Sequence, residues 1–208
     1  MLKACLQESG YKVHAYTSPH LVEFNERIVL SGKKISNEYL ESLIDEAMIL
    51  SKGQSLSFFE FTSAIAFKAF AQEKADFLLL EVGMGGRLDC TNIISSPILS
   101  VITPVSFDHI EFLGDSIGKI AAEKAGIIKD EVPCVVGPQH PEALAVIKAR
   151  AKEAKAPLGV FGEDWGIECM DNAVKLRSGG EEKTYAAPSL MGMHQTANAG
   201  IALQALKL

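Results

Sequence analysis

Cysteine is scarce in this 208-residue chain: Cys5, Cys90, Cys134 and Cys169 lie far apart, with no Cys-x-x-Cys and no paired histidine spacing. That argues against a disulfide framework or a zinc knuckle and points to reduced thiols in a cytoplasmic protein. Long apolar runs are missing too. The best candidate, Phe58 to Ala71, is shorter than the roughly 18 residues of a span and holds Glu60 and Lys68. The first eight residues turn polar before any signal-peptide apolar region develops. Basic excess is absent: 20 Lys+Arg face 26 Asp+Glu, a net charge of −6. This argues against broad nucleic-acid binding and leaves room for a local anion pocket. Neither G-x-x-x-x-G-K-[ST] nor G-x-G-x-x-G occurs, so the two familiar nucleotide loops are lacking.

What is present is a globular composition, 48% hydrophobic and 22% charged. A chain of this size buries about 70% of its unfolded surface, enough for a core without staples. Leu2 to Val13 reads as a helix end, a stop at Gly10 and a strand through Thr17. Ser36 suits the N-cap of a helix with Leu40, Leu43, Ile44, Ala47 and Met48 on one face. A more apolar helix is expected over Phe58 to Gln72. Asp76 to Val82 is a continuous apolar run, the pattern of a strand covered on both faces, and Ile98 to Thr103 and Val132 to Val136 repeat it. Asp115 is placed to cap a helix ending at Gly126, and Pro141 to open another through Ala151. This alternation predicts an α/β fold with a mostly parallel, doubly wound sheet. Short strand-like pieces joined by Asp171-Asn172 and Ser178-Gly179-Gly180 predict a small antiparallel insertion near residues 158–190, before a final helix from His194 to Leu206.

Four segments can carry chemistry. In Glu81-Val82-Gly83-Met84-Gly85-Gly86-Arg87-Leu88-Asp89, a strand ends in a carboxylate and a glycine-rich turn. Ligands of open parallel sheets sit beyond such strand ends, and a hard oxygen donor suits Mg²⁺; the plain alternative is a tight turn with a surface Glu. Asp108-His109 follows the next strand and can ligate a metal or move a proton, or merely cap and pack. Thr17-Ser18-Pro19-His20-Leu21 leads to Asn25-Glu26-Arg27-Ile28; its hydroxyls can meet Mg²⁺ or phosphate and Arg27 can pair with a carboxylate, or it is a Ser-Pro turn before a charged surface segment. His194-Gln195-x-x-Asn198 opens the last helix, where anions are favoured. Lys124, on position alone, complements a helix dipole.

In this order, and with Phe58-Phe59-Glu60 and Glu123-Lys124-Ala125-Gly126-Ile127, these segments resemble the folylpolyglutamate synthase/dihydrofolate synthase family of the Mur ligase superfamily. The resemblance implies ATP-dependent joining of L-glutamate to dihydropteroate or folates through an acyl phosphate, with Mg²⁺ present. It implies Ser18, Glu81 and His109 as metal ligands and Lys124 as a carbamylated lysine, with His109 and Lys124 in catalytic roles. Ser57, Phe58, Phe59, Glu60, Leu88, Asp89, Cys90 and Arg27 match folate-side positions; Asn198, His194 and Gln195 match ATP-side positions. Cys90 stands where the family usually has Ala.

The resemblance also implies a monomer whose partners are these small molecules, with no nucleic acid or membrane. It places the family's Gly-Lys-Gly-Ser-type phosphate loop before residue 1 and a C-terminal ligase domain after residue 208. Residues 1–208 are therefore expected to be part of the central ATP-binding domain, inactive as an isolated chain. The rival readings are a non-catalytic folate- or metal-binding module, a folding-incompetent remnant, and a Mur ligase of cell-wall synthesis.

Overall fold

A computed structural model describes residues 1–190 and 192–207. Its residues divide into two compact units.

The first unit comprises Lys3–Met84 and Asp89–Ile93. Its elements are α1 (Leu2–Glu8), β1 (Val13–Tyr16), β2 (Ile28–Leu30), β3 (Lys33–Lys34), α2 (Asn37–Leu50), α3 (Phe58–Gln72) and β4 (Phe77–Leu80). The sheet runs β3-β2-β1-β4; β1 lies parallel to β4, with Val13 opposite Phe77 and Tyr16 opposite Leu80, and antiparallel to β2. Both helices start where the sequence provides a cap. The Ser36 side chain accepts from the Tyr39 N–H, and Ser57 and Glu60 form a reciprocal capping box. Leu40, Leu43, Ile65, Ala66, Ala69 and Phe70 then pack with Tyr16, Ile28, Leu30 and Ile35. Truncating a residue as enclosed as Ile65, 1% exposed, costs about 2–5 kcal/mol.

Three expectations change here. The segment after Asn25 is no charged surface stretch: Arg27 is buried, and Ile28–Leu30 forms an interior strand because its three apolar residues complete the sheet. The run from Asp76 to Val82 yields only four strand residues at the sheet edge, so Leu78 is 37% exposed rather than covered. Met48 also lies in the open, because the last turn of α2 runs past the core that Leu40 and Leu43 reach.

The second unit comprises Gly85–Leu88 and the chain from Ile94 onward, together with the first two residues. It contains β5 (Ser100–Ile102), α4 (Ile110–Leu113), α5 (Ile117–Ala125), β6 (Cys134–Val136), α6 (Pro141–Glu153) and β7 (Leu158–Val160). It continues with β8 (Trp165–Met170), β9 (Ala173–Ser178), β10 (Glu181–Ala186) and α7 (Met193–Lys207). Strands β5, β6 and β7 form a parallel sheet in that order. Ile120, Ala121 and Ala125 of α5 and Ala143, Ile147 and Ala151 of α6 bury against it. The antiparallel sheet is β10-β9-β8; Leu158–Val160 pairs with β6 instead, so the insertion proper begins at Trp165. Trp165 and Leu176 of that sheet pack with Ile201 of α7. Helix α5 is capped by Ser116, whose side chain accepts from the Lys119 N–H, and not by Asp115, which pairs with Lys119. Among the described residues, no helix is long and apolar enough to cross a membrane.

Candidate active site

In the first unit, the parallel pairing of β1 and β4 delivers two strand ends side by side. The Glu81 N–H extends the ladder to the Tyr16 carbonyl, 2.9 Å away. One residue beyond Thr17, the Ser18 backbone N–H donates to Glu81 Oε2 at 3.0 Å. Two of the three expected metal ligands therefore meet. The exposed Glu81 carboxylate keeps Oε1 available, and the Ser18 hydroxyl is a second hard oxygen donor, a set that suits Mg²⁺.

The glycine-rich loop after Glu81 is braced by Asp89. Asp89 Oδ2 accepts from the Gly83 and Met84 N–H groups at 3.0 Å each, while Oδ1 accepts from the Thr91 N–H and hydroxyl at 2.9 and 2.6 Å. Both oxygens of this expected folate-side residue thus hold its own loop. Gly83 has a packing reason: a Cβ there would sit 2.3 Å from the Phe59 ring. Cys90 follows, half-buried; burial, and next the Asp89 and Glu60 charges, push its thiol pKa up. Glu60 is bound into the capping box, and the Ser57 hydrogen bonds hold its carboxyl below the usual carboxylate range.

Phe58 is 63% exposed, and the structure brings Arg27 to it: the guanidinium carbon lies 5.5 Å from the Phe58 ring centroid and 5.7 Å from that of Phe24. Arg27 Nε donates to His20 Nδ1 at 2.9 Å. Sequence reasoning missed His20 and Phe24 in this cluster; their place within the Ser18–Arg27 loop was the available signal. It also missed Glu26, whose carboxylate accepts from the Leu21, Val22 and Glu23 N–H groups. Those backbone bonds, Leu21 first, hold its pKa below the usual range.

The remaining expected residues belong to the second unit. Leu88 is 80% exposed. Beside it, Arg87 forms a salt bridge with Glu123 at 2.8 Å, and its N–H donates to the Glu123 carbonyl, tying the loop to the last turn of α5. Gly86 has the same neighbour: a Cβ there would lie 2.9 Å from that carbonyl oxygen. Lys124, also in that last turn, is half-buried. His109 precedes α4 with φ 48° and ψ 41°, left-handed backbone that a non-glycine residue rarely adopts. Its Nε2 stands 3.6 Å from Asp108 Oδ2, beyond a hydrogen bond. Over the first two turns of α7, Asn198 Nδ2 donates to Gln195 Oε1 at 3.3 Å and Gln195 Nε2 contacts His194 Nε2 at 3.0 Å. Among the described residues, no three His, Cys, Asp or Glu side chains converge as a metal site.

Comparison with known proteins shows the family. Residues 36–206 match the model of the Mur ligase middle domain. The chain belongs to the Mur ligase family. Its similarity falls in the folylpolyglutamate synthase/dihydrofolate synthase group of that family. It is 38% identical over 98% of its length to the dihydrofolate synthase/folylpolyglutamate synthase of Bacillus subtilis, covering 50% of that protein. Among solved structures, E. coli FolC in complex with DHPP and ADP superposes with a TM-score of 0.89 at 33% identity, over 99% of this chain and 48% of that one. An FPGS-AMPPCP-folate complex gives the same TM-score at 32% identity, over 99% and 53%. This Mur ligase chain therefore spans about half the length of the relatives it matches.

Proposed function

We propose that this chain forms part of an ATP-dependent ligase that joins L-glutamate to the carboxyl group of dihydropteroate, of folylpolyglutamates, or of both. The observation that carries the reading is the Ser18–Glu81 contact at paired strand ends, in a chain whose relatives are synthases crystallised with ADP or AMPPCP and with folate or DHPP. The chemistry has a clear need. A carboxylate resists attack by an amine; transfer of the γ-phosphoryl group of ATP makes an acyl phosphate, and attack by the glutamate nitrogen then expels inorganic phosphate and a proton.

Ser18 and Glu81 would hold Mg²⁺ in the first unit; in the second, His109 and, if carbamylated, Lys124 are the ligand candidates that the family resemblance offers. When bound, the ion neutralises charge on the transferring phosphoryl group. The Ser18 N–H fixes the Glu81 carboxylate, and Asp89 keeps the glycine loop in one shape. In the first unit Phe58 and Phe59, with Ser57, Glu60, Cys90 and Arg27, would form the folate side; in the second, Leu88 is a folate-side candidate and Asn198, His194 and Gln195 are nucleotide-side candidates by resemblance. Free cysteines and small-molecule partners fit a cytoplasmic, monomeric enzyme.

The test measures glutamate-dependent ADP release by the protein that carries this chain, with dihydropteroate, a folate or a nucleotide-linked muramoyl acid as acceptor. Turnover with the first two supports the proposal. Turnover confined to the muramoyl acid assigns the chain to cell-wall ligases and sinks it.

A further inference from the structure

Arg27 is an anomaly for a buried cation. It is 8% exposed, yet no ion pair forms at it among the described residues. Its acidic neighbours in the loop are committed elsewhere: Glu23 pairs with Lys34 at 2.6 Å, and Glu26 is spent on three backbone N–H groups. A buried charge without a counter-ion is costly, and proteins ordinarily pair it. Among the described residues, the one hydrogen bond of the Arg27 side chain joins Nε to His20 Nδ1, so the two Nη groups meet no protein acceptor; neither is sealed from solvent, since the buried unpaired side-chain atom of those residues belongs to Gln204. Phe24 and Phe58 flank the guanidinium, and together with His20 they fix its orientation.

An end-on pair of Nη donors matches the two oxygens of a carboxylate, and the adjoining exposed face of Phe58 suits a flat ring. We infer that Arg27 receives the carboxylate of an aromatic acid whose ring lies against Phe58. The inference rests on the folate reading above and deepens it. It gives Arg27 a defined partner, the benzoate end of the acyl substrate, in place of a general folate-side role. His20 is a positioning residue: its Nδ1 accepts from Arg27 Nε.

Two probes separate this inference from the folate reading. The first titrates the ¹⁵N-labelled 208-residue chain with 4-aminobenzoate and follows the Arg27 Nε–H resonance. A saturable shift, absent with the neutral 4-aminobenzamide, is expected; no shift, or equal shifts, overturns the inference. The second compares pteroate with its carboxamide by calorimetry. The wild-type chain should bind pteroate at least tenfold more tightly, Arg27→Met should bind both at the carboxamide level, and Arg27→Lys should recover part of the preference. A preference that survives in Arg27→Met overturns the inference. Phe58→Leu, on the exposed side, weakens both ligands without changing their ratio and serves where Arg27→Met fails to fold. If 4-aminobenzoate shifts Arg27 while pteroate does not bind, the inference stands and the folate reading falls.

Discussion

Ser18 and Glu81, 63 residues apart in sequence, are joined by one hydrogen bond from backbone N–H to carboxylate at 3.0 Å. The contact follows from strand pairing: β1 and β4 run parallel and in register, so the residues after Tyr16 and Leu80 emerge together. A carboxylate held by a backbone donor is fixed by the fold and not by a mobile partner.

Glu81→Gln should separate charge from position. The amide oxygen still accepts from Ser18, so the melting temperature should stay within a degree or two of wild type. Turnover of the ligase carrying the substitution should fall by at least about 10–100-fold, with a raised Mg²⁺ requirement. Unchanged Mg²⁺ dependence in steady-state assays would remove Glu81 from the metal site.

Acid sensitivity should localise to the loop around Glu26. Its pKa is lowered in the folded chain, so its contribution to stability is complete above the ordinary carboxylate pKa and is lost as pH falls through the depressed folded value. Denaturant titrations at stepped pH should show a smaller acid loss for Glu26→Gln than for wild type. An identical slope in both proteins contradicts the assignment.

His109→Gly should stabilise the chain, because glycine adopts φ 48° without the Cβ penalty. A gain of up to about 1 kcal/mol is expected from urea denaturation, alongside a loss of ligase turnover if the histidine is a metal ligand. A variant that is more stable and fully active would show the strained backbone to have no part in catalysis.

Thiol chemistry should rank the cysteines. Burial pushes the Cys134 thiol up to about 12, whereas Cys169 is exposed on β8. Alkylation at pH 8, followed by peptide mass spectrometry, should modify Cys169 first and Cys134 last, with Cys90 slowed by its own raised pKa. Early labelling of Cys134 would mean that β6 opens readily.

Local signals survived folding well. Ser36 and Ser57 start helices as their side chains dictate, Pro141 opens α6, and alternating turns place the β8–β10 sheet. What sequence could not convey was neighbourhood. Leu78 reads as a core residue, and its exposure depends on which strands lie beside β4. Arg27 reads as surface because charge normally is, and its burial depends on Phe58, which lies 31 positions away. The same holds in the candidate site. Glu81 was legible from its strand end, but the double grip of Asp89 on the glycine loop appears only once Gly83, Met84 and Thr91 fold around it.

The four-stranded sheet has two unlike margins. One is β3, two residues long and both of them lysine; the other is β4, four apolar residues with no charge and no proline. Within this sheet the two margins differ in what they offer another strand: β3 is short and charged, β4 longer and apolar. If the β4 margin is open in solution, a single charge introduced at Leu78, 37% exposed, should raise the concentration at which light scattering first detects self-association.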